Sequence, residues 1–182
     1  MVLKNILEWG TNKTNSFNAA KLTEFTNIIC LFFSLNYIAY VIILFSFEAY
    51  YLAIILALGP IICAALLWCN KQGKSKYVGL AIIIKASVLI YIPTAAIGRE
   101  ICGQFFFLII IILSQLIFTK NQKAFKRLGL MIPISFFLVL EITQYRFFFM
   151  YTLSPGELQF LATSGLIFSM IIIYGMLTFH NQ

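Results

Sequence analysis

Long apolar stretches separated by short polar breaks occupy almost all of the chain between Phe25 and Phe179. Hydrophobic residues make up 62% of the sequence and charged residues 10%, and the mean hydropathy is +0.95. A soluble domain of this size has no core large enough for so much apolar surface, and soluble domains carry about 25% charged residues. The pattern therefore predicts an all-α polytopic membrane protein, whose function depends on the few polar residues within its spans.

Six apolar stretches have about the length of a membrane-spanning helix. Their predicted bounds are Phe25–Ser46, Ala49–Cys69, Tyr77–Ile97, Ile101–Phe118, Leu128–Phe149 and Leu158–Phe179. A helix rises 1.5 Å per residue, so about 20 residues cross a hydrocarbon core of about 30 Å. Strands of a membrane barrel would alternate polar and apolar residues, which these stretches do not. We therefore predict a cytoplasmic or interfacial segment at residues 1–24 and a six-helix transmembrane bundle at residues 25–179.

Basic residues are concentrated in every second connection, which predicts the orientation of the chain. They precede the first span and follow the second and fourth: Lys4, Lys13, Lys21, Lys71, Lys74, Lys76, Lys120, Lys123, Lys126 and Arg127. The alternate connections carry Glu48, Arg99 with Glu100, and Glu157. Both termini are therefore predicted to be cytoplasmic, in a multi-pass protein of the bacterial inner membrane. The net charge of +7 is dispersed over these loops, so no nucleic-acid partner is predicted.

The outer connections are predicted to be short. The longest is Met150–Gln159, with Ser154-Pro155-Gly156 as its turn. On the predicted cytoplasmic side, the apolar residues of Met1–Gly10 lie near one helical face. This segment is either a short interfacial helix or a frayed start of the chain. Since no loop could form a sizeable extracellular domain, any ligand must be small and must reach the bundle from its outer mouth or from lipid.

The sequence carries no signature of an enzyme, a metal site or a cofactor site. Its cysteines lack C-x-x-C spacing and lie in or near apolar stretches, which predicts buried thiols rather than a disulfide or zinc site: Cys30, Cys63, Cys69 and Cys102. The one histidine, His180, is near the end of the chain, and paired carboxylates and phosphate-binding glycine loops are missing from the sequence.

Two ionisable residues are predicted to lie inside the membrane. Lys85 falls roughly 12 Å from the cytoplasmic start of the third span, where it either snorkels, makes a structural hydrogen bond or lines a pocket. Glu141 falls roughly 20 Å along the fifth span, where a carboxylate must pair, hydrogen-bond, face water or take up a proton. Gln144 and Tyr145 follow at i+3 and i+4 and share its helical face.

Further polar residues lie at the outer connection and in the fourth span. Arg99 and Glu100 form either a solvated turn or part of an outer ligand site together with Gln104. The site predicted from the sequence thus consists of Arg99, Glu100, Gln104, Glu141, Gln144 and Tyr145. Gln115, like Asn36 in the first span, is predicted to form hydrogen bonds between helices.

Several short motifs resemble a bacterial family of six-helix membrane sensor domains. They are Asn18-Ala19-Ala20-Lys21-Leu22 before the first span, Asn70-Lys71-Gln72-Gly73 after the second, Gly98-Arg99-Glu100 at the fourth, and Leu140-Glu141 in the fifth. These domains precede the output domains of some histidine kinases and class III nucleotide cyclases, and they include quorum-sensing receptors for long-chain α-hydroxyketones. The resemblance implies a signalling bundle in which Arg99, Glu100 and Glu141 form or support an outer polar site.

Three functions are compatible with this sequence. The first is a receptor-like module that senses a small lipophilic molecule, with homodimerisation and helix displacement as its route of transmission. Its kinase or cyclase output domain is then either on a separate protein or missing from this sequence. The second is a small proton-coupled transporter that uses Lys85 and Glu141. The third is a membrane scaffold or accessory subunit, in which the buried polar groups only hold helices together.

Overall fold

The fold is all-α. The computed structural model describes residue 6 and residues 8–11, 17–118, 122–145 and 151–180. These residues form six helices: α1 (Phe17–Ser46), α2 (Tyr50–Lys71), α3 (Ser75–Ile97), α4 (Phe105–Ile117), α5 (Lys123–Ile142) and α6 (Pro155–His180). Four of them are long and apolar enough to cross a membrane, over Ala20–Ser46, Tyr50–Lys71, Tyr77–Ile97 and Pro155–Gly175. The predicted helical class and membrane character are thus confirmed for these helices.

Helices α1, α2 and α3 follow one another through tight turns. Glu48, between α1 and α2, adopts φ of 59°, and the amide of Ala49 donates to the carbonyl oxygen of Leu44 at 2.9 Å. Gly73, between α2 and α3, has φ of 83°, a left-handed conformation that glycine adopts without strain. Such short turns place consecutive helices antiparallel, so their apolar faces form a common core.

Helix α1 starts earlier than predicted. It begins at Phe17, eight residues before the predicted first span at Phe25, so part of the predicted N-terminal segment is helical. Of the interfacial helix considered for Met1–Gly10, only residue 6 and residues 8–10 lie within the described residues. That segment contacts the bundle, because the side-chain amide of Asn27 donates to the carbonyl oxygens of Trp9 and Ile6 at 3.0 and 3.3 Å.

Helix α4 is shorter than the predicted span Ile101–Phe118. It contains 13 residues, which at 1.5 Å per residue extend about 20 Å, less than the hydrocarbon thickness of about 30 Å. The helix begins at Phe105 instead of the predicted Ile101. Just before it, Arg99–Ile101 form a 3-10 helix and Cys102 adopts a left-handed conformation with φ of 56°. The prediction of a full-length fourth span was therefore wrong for the helix itself.

Helix α5 is shifted toward the N-terminus relative to the predicted span Leu128–Phe149. It begins at Lys123 and ends at Ile142, because Gln144 and Tyr145 adopt φ of 50° and 58° and cannot continue a right-handed helix. Its apolar portion lies between Arg127 and Glu141, so α5 is not among the four span-length apolar helices. Residues 146–149 of the predicted span lie outside the described residues.

Helix α6 begins within the predicted outer loop. Ser154-Pro155-Gly156 is not a turn, since Pro155 is the first residue of the helix. The amide of Ser154 donates to the Glu157 carboxylate at 2.7 Å, and the amide of Glu157 donates to the Ser154 hydroxyl at 3.4 Å. This reciprocal pair is a capping box with proline at the first helical position, a helix-start signal that the sequence interpretation missed.

Candidate functional site

A polar cleft lies at the end of the bundle where α3 and α5 end and α6 begins. Its volume is about 690 Å³, within the range of small-molecule sites. We call it the outer cleft, and it is lined by Ile97, Gly98, Arg99, Glu100, Glu141, Gln144, Tyr145, Tyr151, Thr152, Leu153 and Leu158. Five of the six residues predicted for the ligand site are among these, although they come from segments about 40 positions apart in the chain.

The 3-10 helix places the charged pair of residues at the mouth of the outer cleft. Gly98 precedes it with φ of 119°, which redirects the chain out of α3, and Arg99 and Glu100 are exposed. Within the described part of the chain, Arg99 forms no salt bridge with Glu100 or Glu141. Its guanidinium donors are therefore available to an acceptor group of a ligand.

The opposite wall of the outer cleft holds a carboxylate and phenol pair. The Tyr145 hydroxyl donates to the Glu141 carboxylate at 2.5 Å. Tyr145 lies beyond the end of α5, where burial and then the hydrogen bond to Glu141 raise its pKa to about 12. The phenol therefore keeps its proton at neutral pH and remains a donor. The carboxylate is half-buried and keeps acceptor capacity toward the cleft.

The sixth predicted residue, Gln104, lies in a neighbouring groove instead. The groove has a volume of about 350 Å³ and runs between α4 and α5, with Arg99 and Glu141 at its rim. The side-chain oxygen of Gln104 is buried without a hydrogen-bond partner in the described part of the chain. Arg99 and Glu141 thus border both cavities, and each of the six predicted residues lines at least one of the two.

A separate apolar cavity lies within the bundle and shares the lining residue Ile97 with the outer cleft. We call it the apolar slot. Its volume is about 80 Å³, and its lining residues come mainly from α1 and α3: Phe33, Asn36, Tyr37, Tyr40, Leu44, Leu56, Leu89, Ile90, Pro93, Thr94, Ile97, Ile101, Gly103, Phe106 and Leu161. Its lining suits an alkyl group, because most of these residues are aliphatic or aromatic.

Two polar side chains face this apolar slot without partners. The Tyr37 hydroxyl is buried and has no hydrogen-bond partner in the described residues, and Tyr37 as a whole is 6% exposed. Asn36 is 7% exposed and lines the slot, and none of the hydrogen bonds formed by the described residues involves its side chain. The predicted helix-to-helix hydrogen bond of Asn36 is therefore wrong. Buried polar groups of this kind are uncommon, because each costs about 1–3 kcal/mol when unpaired.

Lys85 and Gln115, the other polar residues predicted within the spans, are not among the residues that line the outer cleft. Lys85 is 6% exposed at the middle of α3, where its ammonium nitrogen donates to the Cys63 sulfur at 2.7 Å. Its side chain is buried rather than snorkelling to a surface, and the hydrogen bond, one of the three alternatives predicted for Lys85, is present. Gln115 donates to the adjacent Ser114 hydroxyl at 3.2 Å, a contact within α4 rather than the predicted contact between helices.

Sequence reasoning missed the apolar slot. Tyr37 and Tyr40 lie in a helix rich in aromatic residues, and no feature of the sequence separates tyrosines that line a cavity from those that face lipid. Asn36 was the available signal, since a buried amide in a span must find a partner or face a cavity.

Comparisons with protein-family models, with curated proteins and with solved structures found no match for this chain. The resemblance to six-helix sensor domains therefore stays a prediction.

Proposed function

We propose that this chain is a receptor-like module of the bacterial inner membrane that binds a small amphiphile. The polar head of the ligand occupies the outer cleft, and its alkyl portion enters the apolar slot past Ile97. The predicted orientation places this opening on the periplasmic side, within reach of molecules that partition from the outer leaflet.

The observation that carries this proposal is the unpartnered Tyr37 hydroxyl in the wall of the apolar slot. The ligand carbonyl, where the head group joins the alkyl chain, would accept the hydrogen bond that the Tyr37 hydroxyl does not make within the protein. The outer cleft adds the Arg99 guanidinium as donor and the Glu141 carboxylate as acceptor. Such a pair suits a head group with both a carbonyl and a hydroxyl. Long-chain α-hydroxyketones, which the family resemblance suggests, have this chemistry.

Occupancy of the apolar slot offers a route to signalling. Its walls come from α1, α2, α3, α4 and α6, so a ligand that fills it changes how these helices pack. Two conformations of the bundle need to differ in their affinity for the ligand by only a few kcal/mol for ligand binding to shift the population from one to the other. We propose that the displaced helices act on a second copy of the chain or on a separate kinase or cyclase.

Direct binding tests the proposal. A tritiated long-chain α-hydroxyketone is titrated against the full chain in nanodiscs. Tyr37→Phe is expected to weaken binding about tenfold, the equivalent of one lost hydrogen bond. Arg99→Gln is expected to weaken binding at least as much, because a charge-assisted contact is stronger. Matched controls are Tyr174→Phe, an exposed tyrosine of α6, and Arg127→Gln, an exposed arginine in the first turns of α5.

Two outcomes would contradict the receptor proposal. One is the absence of saturable binding by the unmodified chain across ligand chain lengths; the other is an equal loss of affinity in the control variants.

A separate flux measurement addresses the carrier hypothesis. If substrate or proton flux into proteoliposomes stops in Glu141→Gln and Lys85→Met, the chain is a transporter, whereas a receptor shows no flux.

A further inference from the structure

A buried cluster of one lysine and two cysteines lies between α1, α2 and α3. The Lys85 ammonium nitrogen is 2.7 Å from the Cys63 sulfur, and the Cys30 thiol lies within interaction range of Cys63. Their exposed fractions are 6% for Lys85 and 1% for each cysteine. Neither thiol is in a disulfide. The outer cleft does not include any of the three residues.

Lys85 lacks the partner that a buried cation normally has. In the described part of the chain no acidic residue forms a salt bridge with it; its neighbours are the Cys63 sulfur and two aromatic rings. The ring centroids of Tyr37 and Phe33 lie 4.7 and 5.3 Å from the ammonium nitrogen, within cation–π range. A charged lysine at the centre of a membrane helix is costly, and a thiolate beside it would offset that cost better than a neutral thiol.

We propose that Cys63, Cys30 and Lys85 form an intramembrane thiol site that reduces one apolar alkyl hydroperoxide per chain and is oxidised to a Cys30–Cys63 disulfide. The Cys63 thiolate attacks the terminal oxygen of the hydroperoxide, so that a sulfur–oxygen bond forms and the oxygen–oxygen bond breaks. The departing alkoxide takes a proton from the Lys85 ammonium and leaves as an alcohol. Cys63 is then a sulfenic acid.

The second step consumes Cys30. Its sulfur attacks the sulfenic sulfur of Cys63, the sulfur–sulfur bond forms, and the oxygen leaves as water with the proton of the Cys30 thiol. Two thiols are thereby oxidised by two electrons, and one hydroperoxide is reduced to alcohol and water. Neither step needs a further reagent.

The apolar slot gives a small uncharged hydroperoxide a path to this site. Phe33 and Tyr37 line the slot on one side and lie beside Lys85 on the other. The unpartnered Tyr37 hydroxyl can donate to the peroxide oxygens as the molecule approaches. The thiols can react whether or not the slot also serves the proposed amphiphile.

Thiol mapping tests the proposal on the full chain in liposomes. After treatment with one equivalent of tert-butyl hydroperoxide, mass spectrometry without reduction is expected to find a peptide pair linked through Cys30 and Cys63. In Cys30→Ser the reaction stops one step earlier, and dimedone is expected to label Cys63. Lys85→Met is expected to slow this labelling about tenfold, because the thiolate loses its cation.

The other two cysteines supply the controls. Cys69 and Cys102 are half-buried, and a chain in which both are serine is expected to form the disulfide at the unmodified rate. Oxidation that starts at Cys69 or Cys102, or absence of the linked peptides, would overturn the proposal. So would a Lys85→Met chain that melts at the normal temperature and is labelled at the normal rate. The Cys30→Ser labelling pattern decides the matter even if Lys85→Met does not fold.

Discussion

Individual buried amides join the N-terminal segment to the bundle. The side-chain nitrogen of Asn70, at the end of α2, donates to the Asn27 side-chain oxygen at 2.6 Å and to the Thr23 carbonyl oxygen at 3.2 Å. Both asparagines are fully buried, and Asn27 in turn donates to the backbone of Trp9. One residue of α2 thus determines the conformation of Asn27 and, through it, the position of the preceding segment.

Replacing Asn70 by alanine is expected to destabilise the protein by about 1–3 kcal/mol, since it removes both donated bonds and leaves buried acceptors without that donor. The measurement is the free energy of unfolding in detergent, followed by far-UV circular dichroism. Gln72→Ala is the matched control, because Gln72 is exposed two residues further on. A loss in Asn70→Ala no larger than that of the control would contradict this assignment.

At the scale of helices, close packing at glycine determines how α5 meets its neighbours. A methyl group at Gly129 would lie 2.9 Å from the Ser114 side chain, 3.0 Å from Ile83 and 3.1 Å from Phe118. These contacts come from α3, from α4 and from Phe118, the residue that follows α4. Gly129 is therefore a position at which a side chain would force neighbouring side chains to move.

Gly129→Ala is expected to destabilise the protein by about 1–3 kcal/mol, the usual effect of overpacking a core. Gly175→Ala in α6 is the matched control, because a methyl group there would contact nothing within 4 Å. In a helix this control is expected to be neutral or stabilising by up to about 1 kcal/mol. Thermal melting of both variants in the same detergent makes the comparison. Equal shifts in melting temperature would mean that the approach of α5 does not depend on Gly129.

At the scale of the whole molecule, the basic connections predict which end of the bundle faces the cytoplasm. Lys71 and Lys74 flank the turn between α2 and α3, whereas Arg99, Glu100 and Glu157 lie at the opposite end. Helices α4 and α5 do not reach the length and apolar character of the other four, so whether they cross fully depends on the bilayer. Four or six crossings both keep the two termini on one side.

Single-cysteine labelling is expected to confirm this orientation. On a background with all native cysteines replaced by serine, a cysteine at Lys74 or Lys126 is expected to react with a membrane-impermeant maleimide only in inverted vesicles. A cysteine at Thr152, an exposed residue of the outer cleft, is expected to react in intact spheroplasts. Labelling of Thr152→Cys from the cytoplasmic side would place the outer cleft inside the cell and contradict the proposed route of the ligand.

Hydrophobicity and the positions of charged residues determined much of this protein from sequence alone. Apolar length decided the helical class, and charge placement made Arg99, Glu100 and Glu141 candidate site residues, because charged residues are costly in lipid wherever the chain folds. The ends of α4 and α5 could not be read this way, since they depend on left-handed residues such as Cys102, Gln144 and Tyr145 that have no sequence signal.

Only the tertiary structure decided which buried groups meet. Lys85 and Cys63 are 22 positions apart, and Asn70 and Asn27 are 43 apart, so each contact depends on the packing of separate helices. The unpartnered hydroxyl of Tyr37 is also a property of the packed bundle, because a cavity exists only between elements. Hydrophobic length is a local quantity that a single helix carries, whereas a hydrogen bond or a cavity needs two or more helices in a fixed arrangement.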